Sequence, residues 1–295
     1  MPLLPAQSVA VPNPYSGSTF DATVAADVAR ALAEDVGAGD LTASLVDATK
    51  RAHARVLARE AATVCGAPWV NATFAKVVPS GELRWLVQEG QRCTPDQVVL
   101  EMTGPAPQLL TAERTMLNFL QLLSGVATRT AEFVDAVQGT GTFIVDTRKT
   151  LPGLRVAQKY AVTVGGGANH RMGLYDAILI KENHIAAAGG VSAVLAKARA
   201  AAPQAQFVQI EVERLDQLTE ALASGANMVL LDNMDLPTLR EAVRLNAGRA
   251  VLEISGGVSL HTVRALAETG VDRISIGGLT KDVKATDYSM RFAGI

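Results

Sequence analysis

The stretch NMVLLDNMDLPTLREAVRLN, residues 227 to 246, contains the unit that decides the fold of most of this chain. Its first part, from Met228 to Leu231, is a continuous apolar run of the kind that forms a buried strand. Its second part, from Asp235 to Asn246, carries apolar residues at helical spacing. An apolar strand followed directly by a helix predicts one βα unit of a parallel sheet.

The same unit recurs through the second half of the chain. Beyond residue 140, helical segments alternate with short apolar runs: TFIVD, YDAILI, FVQIEV, NMVLLD, AVLEIS and RISIGG. Six βα units predict an α/β fold, either an open doubly wound sheet or a barrel. In both folds ligands bind at the carboxyl ends of the strands, so the residues after each strand are the first candidates for a functional site.

The first half of the chain has a different pattern. Helical spacing of apolar residues predicts a helix from Asp21 to Val36, with Asp21 as its cap. From His53 to Gly104, three strand-like runs accompany one helix, which indicates a small α+β unit. A long helical stretch follows, and its Ser124-Gly125 pair predicts a break and a domain boundary.

Composition and charge exclude several classes of protein. The chain has 295 residues, 48% of them hydrophobic, which suits two modest domains or one α/β barrel with an appendage. A net charge of −2 gives no reason to expect nucleic acid or a membrane as partner. Its two cysteines, Cys65 and Cys93, are too few for a disulfide framework, and we expect buried free thiols. The proline-rich start predicts a flexible arm, and no apolar run is long enough for a membrane span. We expect a cytoplasmic protein.

Charged residues or glycine pairs follow every one of the six predicted strands. In chain order they are Asp146, Arg148 and Lys149; Lys181, Glu182, Asn183 and His184; Glu211; Asp232 and Asn233; Ser255, Gly256 and Gly257; and Gly277 and Gly278. His170 and Arg171 lie in the loop that leads to the second strand. One polar strand end is common, but six at the same edge of a sheet predict a site.

The residue types at this edge predict a ligand with several negative charges. The cations would repel one another in an empty site, so they need a phosphate or a molecule with several carboxylates. Turns built from glycine let backbone N–H groups approach phosphate oxygens at the start of a helix. The acids Glu211 and Asp232 could balance charge, or could hold Mg²⁺ on a pyrophosphate, bind ribose hydroxyls or stabilise a cationic sugar transition state.

Several of these stretches together resemble one enzyme family. DTRKTLPGLR, NHRMGLYDAILIKENH, IEVE, LLDNM and EISGGV are similar to motifs of quinolinate phosphoribosyltransferase, also called nicotinate-nucleotide pyrophosphorylase (carboxylating). AERTMLNFLQLLSGVAT resembles the helix before the barrel of that family. The resemblance runs from about Val36 to Ile295. It implies that quinolinate reacts with phosphoribosyl pyrophosphate to give nicotinate mononucleotide, pyrophosphate and CO₂, a step of NAD biosynthesis.

The resemblance also implies an architecture. An open six-stranded α/β barrel would lie behind an α/β sandwich domain, an open sheet with helices, in a homodimer. On this basis we divide the chain into a flexible arm (1–20), a sandwich domain (21–124), a barrel domain (125–284) and a C-terminal segment that returns to the sandwich domain (285–295).

Roles for individual residues follow from the same resemblance. Quinolinate would be bound by Thr147, Arg148, His170, Arg171, Lys181 and, from the other subunit of the dimer, Arg114. The phosphate groups would be bound by Lys149, Ser255, Gly256, Gly257, Gly277 and Gly278. Catalysis would fall to Lys149, Glu211 and Asp232, and the two carboxylates would serve Mg²⁺ indirectly, through pyrophosphate and water.

Plainer explanations compete with some of these roles. His170 could be an ordinary loop histidine, and Lys181 could extend its ammonium into solvent. Glu211 could be a structural ion-pair partner, and Asp232 could cap the helix that starts near Asp235.

Other functions stay open at this point. Within the class, a nicotinate phosphoribosyltransferase would bind one carboxylate and release no CO₂, and a related family linked to molybdenum transport shares the architecture. From a different class, Lys181 could form a Schiff base in an aldolase-type lyase, which needs an uncharged amine. A non-catalytic phosphate-binding protein would not need both acids and the glycine turns.

Overall fold

The computed structural model describes residues 15 to 293. In chain order its elements are α1 (Ser18–Asp35), a 3-10 turn (Ala43–Leu45), β1 (Arg51–Ala58), β2 (Ala62–Thr63), α2 (Ala67–Val77), β3 (Glu82–Trp85), β4 (Arg92–Cys93), β5 (Val98–Pro105), α3 (Ala106–Ala136), β6 (Phe143–Val145), α4 (Arg155–Val164), β7 (Ile178–Ile180), α5 (Glu182–Ala188), α6 (Val191–Ala201), β8 (Val208–Val212), α7 (Leu215–Ala223), β9 (Met228–Asp232), α8 (Leu236–Asn246), β10 (Val251–Ser255), α9 (Val263–Ala267), β11 (Arg273–Ser275), α10 (Gly278–Lys281) and β12 (Tyr288–Ala293).

The strands form two main sheets. An antiparallel sheet has the order β12-β1-β5-β3, and a separate short pair joins β2 to β4. The second half of the chain forms a six-stranded parallel sheet with the order β6-β11-β10-β9-β8-β7. The six predicted βα units are therefore confirmed, and the chain has the predicted α/β fold.

The parallel sheet curves around a polar interior. Successive side chains of a strand point to opposite faces, so Ile210 of β8 lies in the apolar core while the neighbouring Gln209 lies on the other face, also buried. The Nε2 atom of His170 lies 2.7 Å from Gln209 Oε1 and 3.7 Å from Glu253 Oε1 on β10. The strands β6 and β7 are the two ends of the sheet, and the segment at Ala168 bridges to β6. The six strands therefore make an open barrel whose gap lies between β6 and β7.

Helix α3 is continuous, which corrects the predicted break at Ser124-Gly125. The hydroxyl of Ser124 accepts a hydrogen bond from the N–H of Cys65 at 3.0 Å and donates to the carbonyl oxygen of the same residue at 3.2 Å. A Cβ atom at Gly125 would lie 2.3 Å from the carbonyl oxygen of Lys284. Both small residues therefore allow neighbouring backbone to approach the helix, and neither of them ends it.

The same helix contributes to two apolar cores. Leu109, Leu117 and Leu120 belong to the cluster that includes buried residues of β1 and β5. Phe119 and Leu123 belong to the larger cluster that fills the space between the barrel strands and their helices. Because α3 is shared by both cores, the barrel and the antiparallel sheet both pack against the same helix.

The N-terminal helix begins earlier than predicted, so Asp21 lies in its first turn and not at its cap. Tyr15 and Phe20 are buried, and their ring centroids are 5.7 Å apart in an edge-to-face contact. Aromatic burial of this kind stabilises the start of α1 against the body of the protein. Tyr15 and Phe20 thus anchor residues 15–20 on the protein, which corrects part of the predicted flexible arm; residues 1–14 of that arm lie outside the described residues.

The last strand, β12, pairs with β1 of the antiparallel sheet over the register from Tyr288–Ala58 to Ala293–His53. The chain therefore returns to its first sheet after the barrel is complete. Cys65 and Cys93 are both free and buried, as predicted. Within residues 15–293, no helix has the length and apolar character that crossing a membrane requires.

Candidate active site

The ends of four adjacent barrel strands place a row of polar residues along one edge. Strand pairing aligns Ile180 with Ile210, so Lys181 and Glu211 follow at neighbouring positions on β7 and β8. Pairing of β9 with β10 aligns Asp232 with Ser255. The parallel sheet thus brings together four of the predicted site residues.

Glu211 lies between charges of both signs. Its Oε2 atom is 3.4 Å from Nζ of Lys181, and its side chain is mostly buried, whereas that of Lys181 is half exposed. Burial raises the pKa of the Glu211 carboxyl, the charge of Lys181 opposes that shift, and the charge of Asp232 adds to it. The ion pair suggested as a plainer role for Glu211 does exist, but its partner is itself a predicted ligand-binding residue.

Asp232 does not cap the following helix. That position is taken by Asp235, whose carboxylate accepts a hydrogen bond from the N–H of Thr238 at 2.9 Å. Asp232 Oδ2 instead accepts a hydrogen bond from Nδ2 of Asn233 at 3.0 Å. The plainer explanation for Asp232 is therefore wrong, and the charge of its carboxylate acts on the pKa of Glu211.

The glycine turn after β10 contacts the acidic end of β9. Gly256 and Gly257 have φ angles of +100° and +58°, which side chains disfavour. A Cβ atom at Gly256 would lie 2.7 Å from Oδ1 of Asn233. The turn therefore presents backbone without side chains next to Asp232, as a phosphate site requires.

The turn after β11 lies against the segment that follows β6, because β11 and β6 are paired. A Cβ atom at Gly277 would lie 2.9 Å from Cδ of Lys149 and 3.5 Å from Oγ1 of Thr147. The hydroxyl of Thr280 in α10 donates to the carbonyl oxygen of Lys149 at 2.9 Å. The absence of a side chain at Gly277 thus lets Lys149 lie across the turn.

Arg148 and Arg171 form the cationic side of the site. Burial lowers the pKa of the Arg171 guanidinium, and the charge of Arg148 lowers it further. One nitrogen of Arg171, Nη1, donates to the carbonyl oxygen of Ala177 at 3.1 Å. Nε of Arg148 is buried and has no hydrogen-bond partner among the described residues. Two guanidinium groups near one another favour an anion between them.

His170 is buried, and both of its ring nitrogens contact protein atoms. Its Nδ1 accepts a hydrogen bond from the N–H of Arg171 at 2.8 Å, so Nε2 carries the proton and donates to Gln209. Burial lowers the pKa of this imidazole, with Glu253 opposing the shift. The geometry favours support of Arg171 over the direct contact with quinolinate that we predicted for His170.

Arg114 lies apart from the other predicted site residues. It is exposed on α3, in a cleft that Asp40, Leu41 and Thr111 also line. None of the strand-end residues lines this cleft in the described part of the chain. The contact of Arg114 with the ligand of a second copy of the chain stays a prediction.

Two family models cover nearly all of the described chain. Residues 40–124 match the quinolinate phosphoribosyl transferase N-terminal domain, and residues 126–291 match the C-terminal domain of the same family. The chain belongs to the quinolinate phosphoribosyltransferase family.

Relatives of known name agree with this membership in the quinolinate phosphoribosyltransferase family. The chain is 40% identical to a probable nicotinate-nucleotide pyrophosphorylase [carboxylating] of Bacillus subtilis (strain 168), over 87% of this chain and 89% of that protein. It is 42% identical to the nicotinate-nucleotide pyrophosphorylase [carboxylating] of Mycobacterium leprae (strain TN), over 89% of this chain and 95% of the relative. The nicotinate-nucleotide pyrophosphorylase structure from Francisella tularensis has a TM-score of 0.90 and 41% identity, over 92% of this chain and 97% of that one.

Sequence reasoning missed a buried polar cluster beneath the site of this quinolinate phosphoribosyltransferase family member. Lys159 on α4 is fully buried and bonds to Asp146, which also binds Asn169. Lysine in an amphipathic helix ordinarily lies on the exposed face, so its pattern gave no sign of burial. A carboxylate at the end of a buried strand is the one signal that the sequence offers, and it does not distinguish Asp146 from the other charged residues of the strand ends.

Proposed function

We propose that this chain transfers the phosphoribosyl group of phosphoribosyl pyrophosphate to quinolinate, with release of pyrophosphate and CO₂. The observation that supports this most directly is the row formed by Lys181, Glu211 and Asp232, with glycine turns at one end and two half-buried arginines nearby. Such a row can accept two anionic substrates side by side. Membership in the quinolinate phosphoribosyltransferase family indicates that they are quinolinate and phosphoribosyl pyrophosphate.

Quinolinate occupies the cationic side in this proposal. Its two carboxylates pair with Arg148, Arg171 and Lys181, with Thr147 beside them. A single carboxylate would leave part of this positive charge without a partner, which favours the dicarboxylate over nicotinate. His170 acts behind this surface, because its Nδ1 accepts the N–H of Arg171.

Phosphoribosyl pyrophosphate lies along the glycine turns. The 5′-phosphate binds the backbone N–H groups from Ser255 to Gly257 and at Gly277-Gly278, where side chains would block the approach. Lys149, which lies across Gly277, is placed to neutralise phosphate oxygens. Glu211 faces the ribose and stabilises the positive charge that develops on it.

The reaction then needs little acid or base chemistry from the protein. The pyridine nitrogen forms a bond to C1 of the ribose as the bond to pyrophosphate breaks, through an oxocarbenium-like state. The ring nitrogen becomes positively charged and stabilises the electron pair left on carbon when the adjacent carboxylate leaves as CO₂. A proton from solvent completes nicotinate mononucleotide. The side chains contribute orientation, charge and exclusion of water.

Magnesium fits this site through the substrate. Glu211 and Asp232 are two neighbouring carboxylates, whereas residues 15–293 contain no group of three acidic, histidine or cysteine side chains arranged to hold a metal ion. Mg²⁺ keeps several waters and commonly binds one or two carboxylates together with substrate phosphates. We propose that Glu211 and Asp232 contact it through water and that it neutralises pyrophosphate charge.

A homodimer completes the site in this proposal. Leu41 and Leu45, in and after the segment that lines the Arg114 cleft, are 87% and 84% exposed. Leu174 and Tyr175, in the loop after Arg171, are 75% and 82% exposed. Exposed apolar side chains at both places support contact between copies of the chain, with Arg114 of one copy reaching the barrel of the other.

The lyase alternative has less support. A Schiff base needs a free, uncharged lysine amine, whereas Nζ of Lys181 lies 3.4 Å from Oε2 of Glu211 in an ion pair. Treatment with borohydride and a carbonyl substrate is expected to leave no adduct on this lysine.

The proposal is tested with purified protein, Mg²⁺, phosphoribosyl pyrophosphate and carboxyl-labelled quinolinate, and with nicotinate in a parallel reaction. We expect labelled CO₂ and an equal amount of nicotinate mononucleotide from quinolinate. Mononucleotide from nicotinate alone would assign the chain to the monocarboxylate reaction instead. Arg148→Lys provides a matched variant, because it keeps the charge but loses the bidentate geometry; it is expected to raise the KM for quinolinate more than that for phosphoribosyl pyrophosphate.

A further inference from the structure

One buried carboxylate contacts both segments that carry the arginines. Asp146 is completely buried at the end of β6. Its Oδ1 accepts hydrogen bonds from Nζ of Lys159 and, at 2.9 Å, from the N–H of His170. Its Oδ2 accepts from Nδ2 of Asn169 at 2.6 Å. We call Asp146, Lys159 and Asn169 the Asp146 cluster.

The cluster lies at the base of the two cationic groups. Arg148 follows Asp146 by two residues in the chain, and Arg171 follows Asn169 by two. A backbone hydrogen bond also joins the two arginine-bearing segments, because the N–H of Asp146 donates to the carbonyl oxygen of Ala168 at 3.1 Å. Movement of Asp146 would therefore change the distance between the two arginines.

Lys159 on α4 also connects the two arginine-bearing segments. Its Nζ also donates to the carbonyl oxygen of His170 at 3.0 Å. Burial raises the pKa of Asp146 and lowers that of Lys159, while the charge of each residue opposes the shift of the other. Removal of either partner would leave an uncompensated buried charge, so each of the two residues needs the other for a stable structure.

Arg155 makes a second connection farther along the same segments. Its Nε donates to Oγ1 of Thr150 at 3.1 Å, and its Nη1 donates to the carbonyl oxygen of Met172 at 3.0 Å. The two arginine-bearing segments are thus joined at their bases by Asp146 and beyond the arginines by Arg155. The base is also connected to the segment before α1.

That connection is made by Tyr15, just before α1. Its hydroxyl donates to Oδ1 of Asn169 at 2.6 Å, and Nδ2 of Asn169 also donates to the carbonyl oxygen of Lys159 at 3.0 Å. The ring of Tyr15 is buried against Phe20 and Tyr160. A residue far from the site in sequence therefore fixes the orientation of an amide that binds Asp146.

We propose that Asp146 is a positioning residue that sets the separation of Arg148 and Arg171, and that Tyr15 stabilises this arrangement through Asn169. The inference rests on the proposed function, because that separation matters through the two carboxylates of quinolinate. It assigns a role in substrate binding to the segment before α1, which touches no substrate. Tyr15 and Asn169 are not catalytic residues in this account.

The test compares Tyr15→Phe and Asn169→Ala with the unchanged protein. Tyr15→Phe removes only the phenol hydroxyl, and this should raise the KM for quinolinate roughly 2- to 10-fold, the range expected when one hydrogen bond to a positioning group is lost. Asn169→Ala removes more bonds and should raise it further. The KM for phosphoribosyl pyrophosphate should rise less than that for quinolinate in both variants, because Tyr15 and Asn169 are hydrogen-bonded at the base of the arginine segments, whereas Gly277 lies against Thr147 and Lys149.

Tyr160→Phe is the matched control. Tyr160 lies in the same aromatic group, with its ring centroid 5.3 Å from that of Tyr15, but its hydroxyl donates to Glu89 at 2.9 Å. This variant also loses one hydrogen-bonded phenol hydroxyl, so its melting temperature should fall about as much while the KM for quinolinate stays the same. Equal KM changes in the two tyrosine variants would overturn the proposal, since they would reflect general destabilisation.

The outcome is separable from that of the proposed function. If the unchanged protein releases CO₂ from quinolinate and Tyr15→Phe retains its KM, the positioning role is refuted and the proposed function stands. If the unchanged protein neither binds quinolinate in calorimetry nor turns it over, both are refuted. Should Asn169→Ala fail to fold, the comparison of Tyr15→Phe with Tyr160→Phe still decides.

Discussion

Glu211 is the single residue whose surroundings bear most directly on the chemistry. Burial and the nearby charge of Asp232 raise the pKa of its carboxyl, and Lys181 opposes them. A carboxyl with a raised pKa loses its negative charge at a higher pH than an ordinary glutamate does. Since the charged form is the one that stabilises an oxocarbenium-like state, activity on the acid side should report this carboxyl.

We predict that Asp232→Asn moves the acid limb of the kcat/KM profile to lower pH, even though the maximal rate falls. Removal of the neighbouring negative charge makes ionisation of Glu211 easier, so its pKa decreases. The measurement is initial rate against pH in Asp232→Asn and in the unchanged protein. Asp235→Asn is the control, because Asp235 caps α8 through Thr238 and asparagine caps as well as aspartate. An acid limb at the same pH in all three proteins would contradict this role for Glu211.

The strand-end residues could be predicted because parallel strands deliver their carboxyl ends to one edge whatever the details of packing. The strand pattern predicts Lys181, Glu211 and Asp232 in this way, and in the structure they follow neighbouring strands along one edge. The contacts of Tyr15 and Lys159 could not be predicted. They depend on how helices lie against the barrel, and a buried lysine has the same sequence pattern as an exposed one.

At the level of elements, α3 determines how the two halves of the chain meet. Its Gly125 lies so close to the loop before β12 that a Cβ atom would be 2.3 Å from the carbonyl oxygen of Lys284. A second close approach occurs at Gly165, where a Cβ atom would lie 2.4 Å from the carbonyl oxygen of Ala127 on the same helix. Backbone cannot yield as a flexible side chain does, so these contacts require glycine.

We predict that Gly125→Ala lowers the free energy of unfolding. Overpacking typically costs about 1–3 kcal/mol, which outweighs the roughly 1 kcal/mol that alanine contributes to helix propensity. Chemical denaturation with circular dichroism measures the change. Glu132→Ala on the same helix is the control, because it removes only an exposed ion pair with Arg129 and should shift the midpoint little. A gain in stability for Gly125→Ala would show that the glycine is a helix weakness after all.

Element type was predictable from periodicity, whereas the continuity of α3 was not. Alternation of apolar runs and helical segments predicted all six barrel strands. Ser124-Gly125 predicted a break because the same pair of small residues ends helices in other settings. The sequence alone does not distinguish a glycine that ends a helix from one that admits a neighbouring chain, since the neighbour lies elsewhere in sequence.

At the level of the whole molecule, the proposed site is shared between two copies of the chain. The strand ends supply the row of acids and cations, while Arg114 lies on α3 in a cleft that they do not line. In a two-fold dimer each site would then combine the barrel of one subunit with Arg114 of the other. Two inactive variants can complement each other when a site is shared in this way, whereas they cannot when each subunit holds a complete site.

We predict that two inactive variants, Arg114→Ala and Lys181→Ala, recover activity when they are unfolded, mixed and refolded together. A mixed dimer contains one site in which both residues are intact. Random pairing in equal amounts should restore about a quarter of the unchanged activity. The measurement is CO₂ release after mixing, compared with each variant refolded alone.

The control for this experiment mixes Glu211→Gln with Lys181→Ala. Both changes lie on the same edge of one barrel, so every site of the mixed dimer carries a defect and no activity should return. If activity also returned in this control, the recovery in the first mixture would not come from sites shared between two subunits. No recovery in the first mixture, with dimers present, would place Arg114 outside the site.

The pairing of β12 with β1 has a consequence for how the chain is made. During translation β1 leaves the ribosome early, whereas β12 is among the last described segments to emerge. Until then one edge of the first sheet has no partner, and an unpaired edge is where chains associate wrongly. A nascent chain interrupted after the barrel would therefore be a target for chaperones or proteases, although every residue of the strand-end row had already been synthesised.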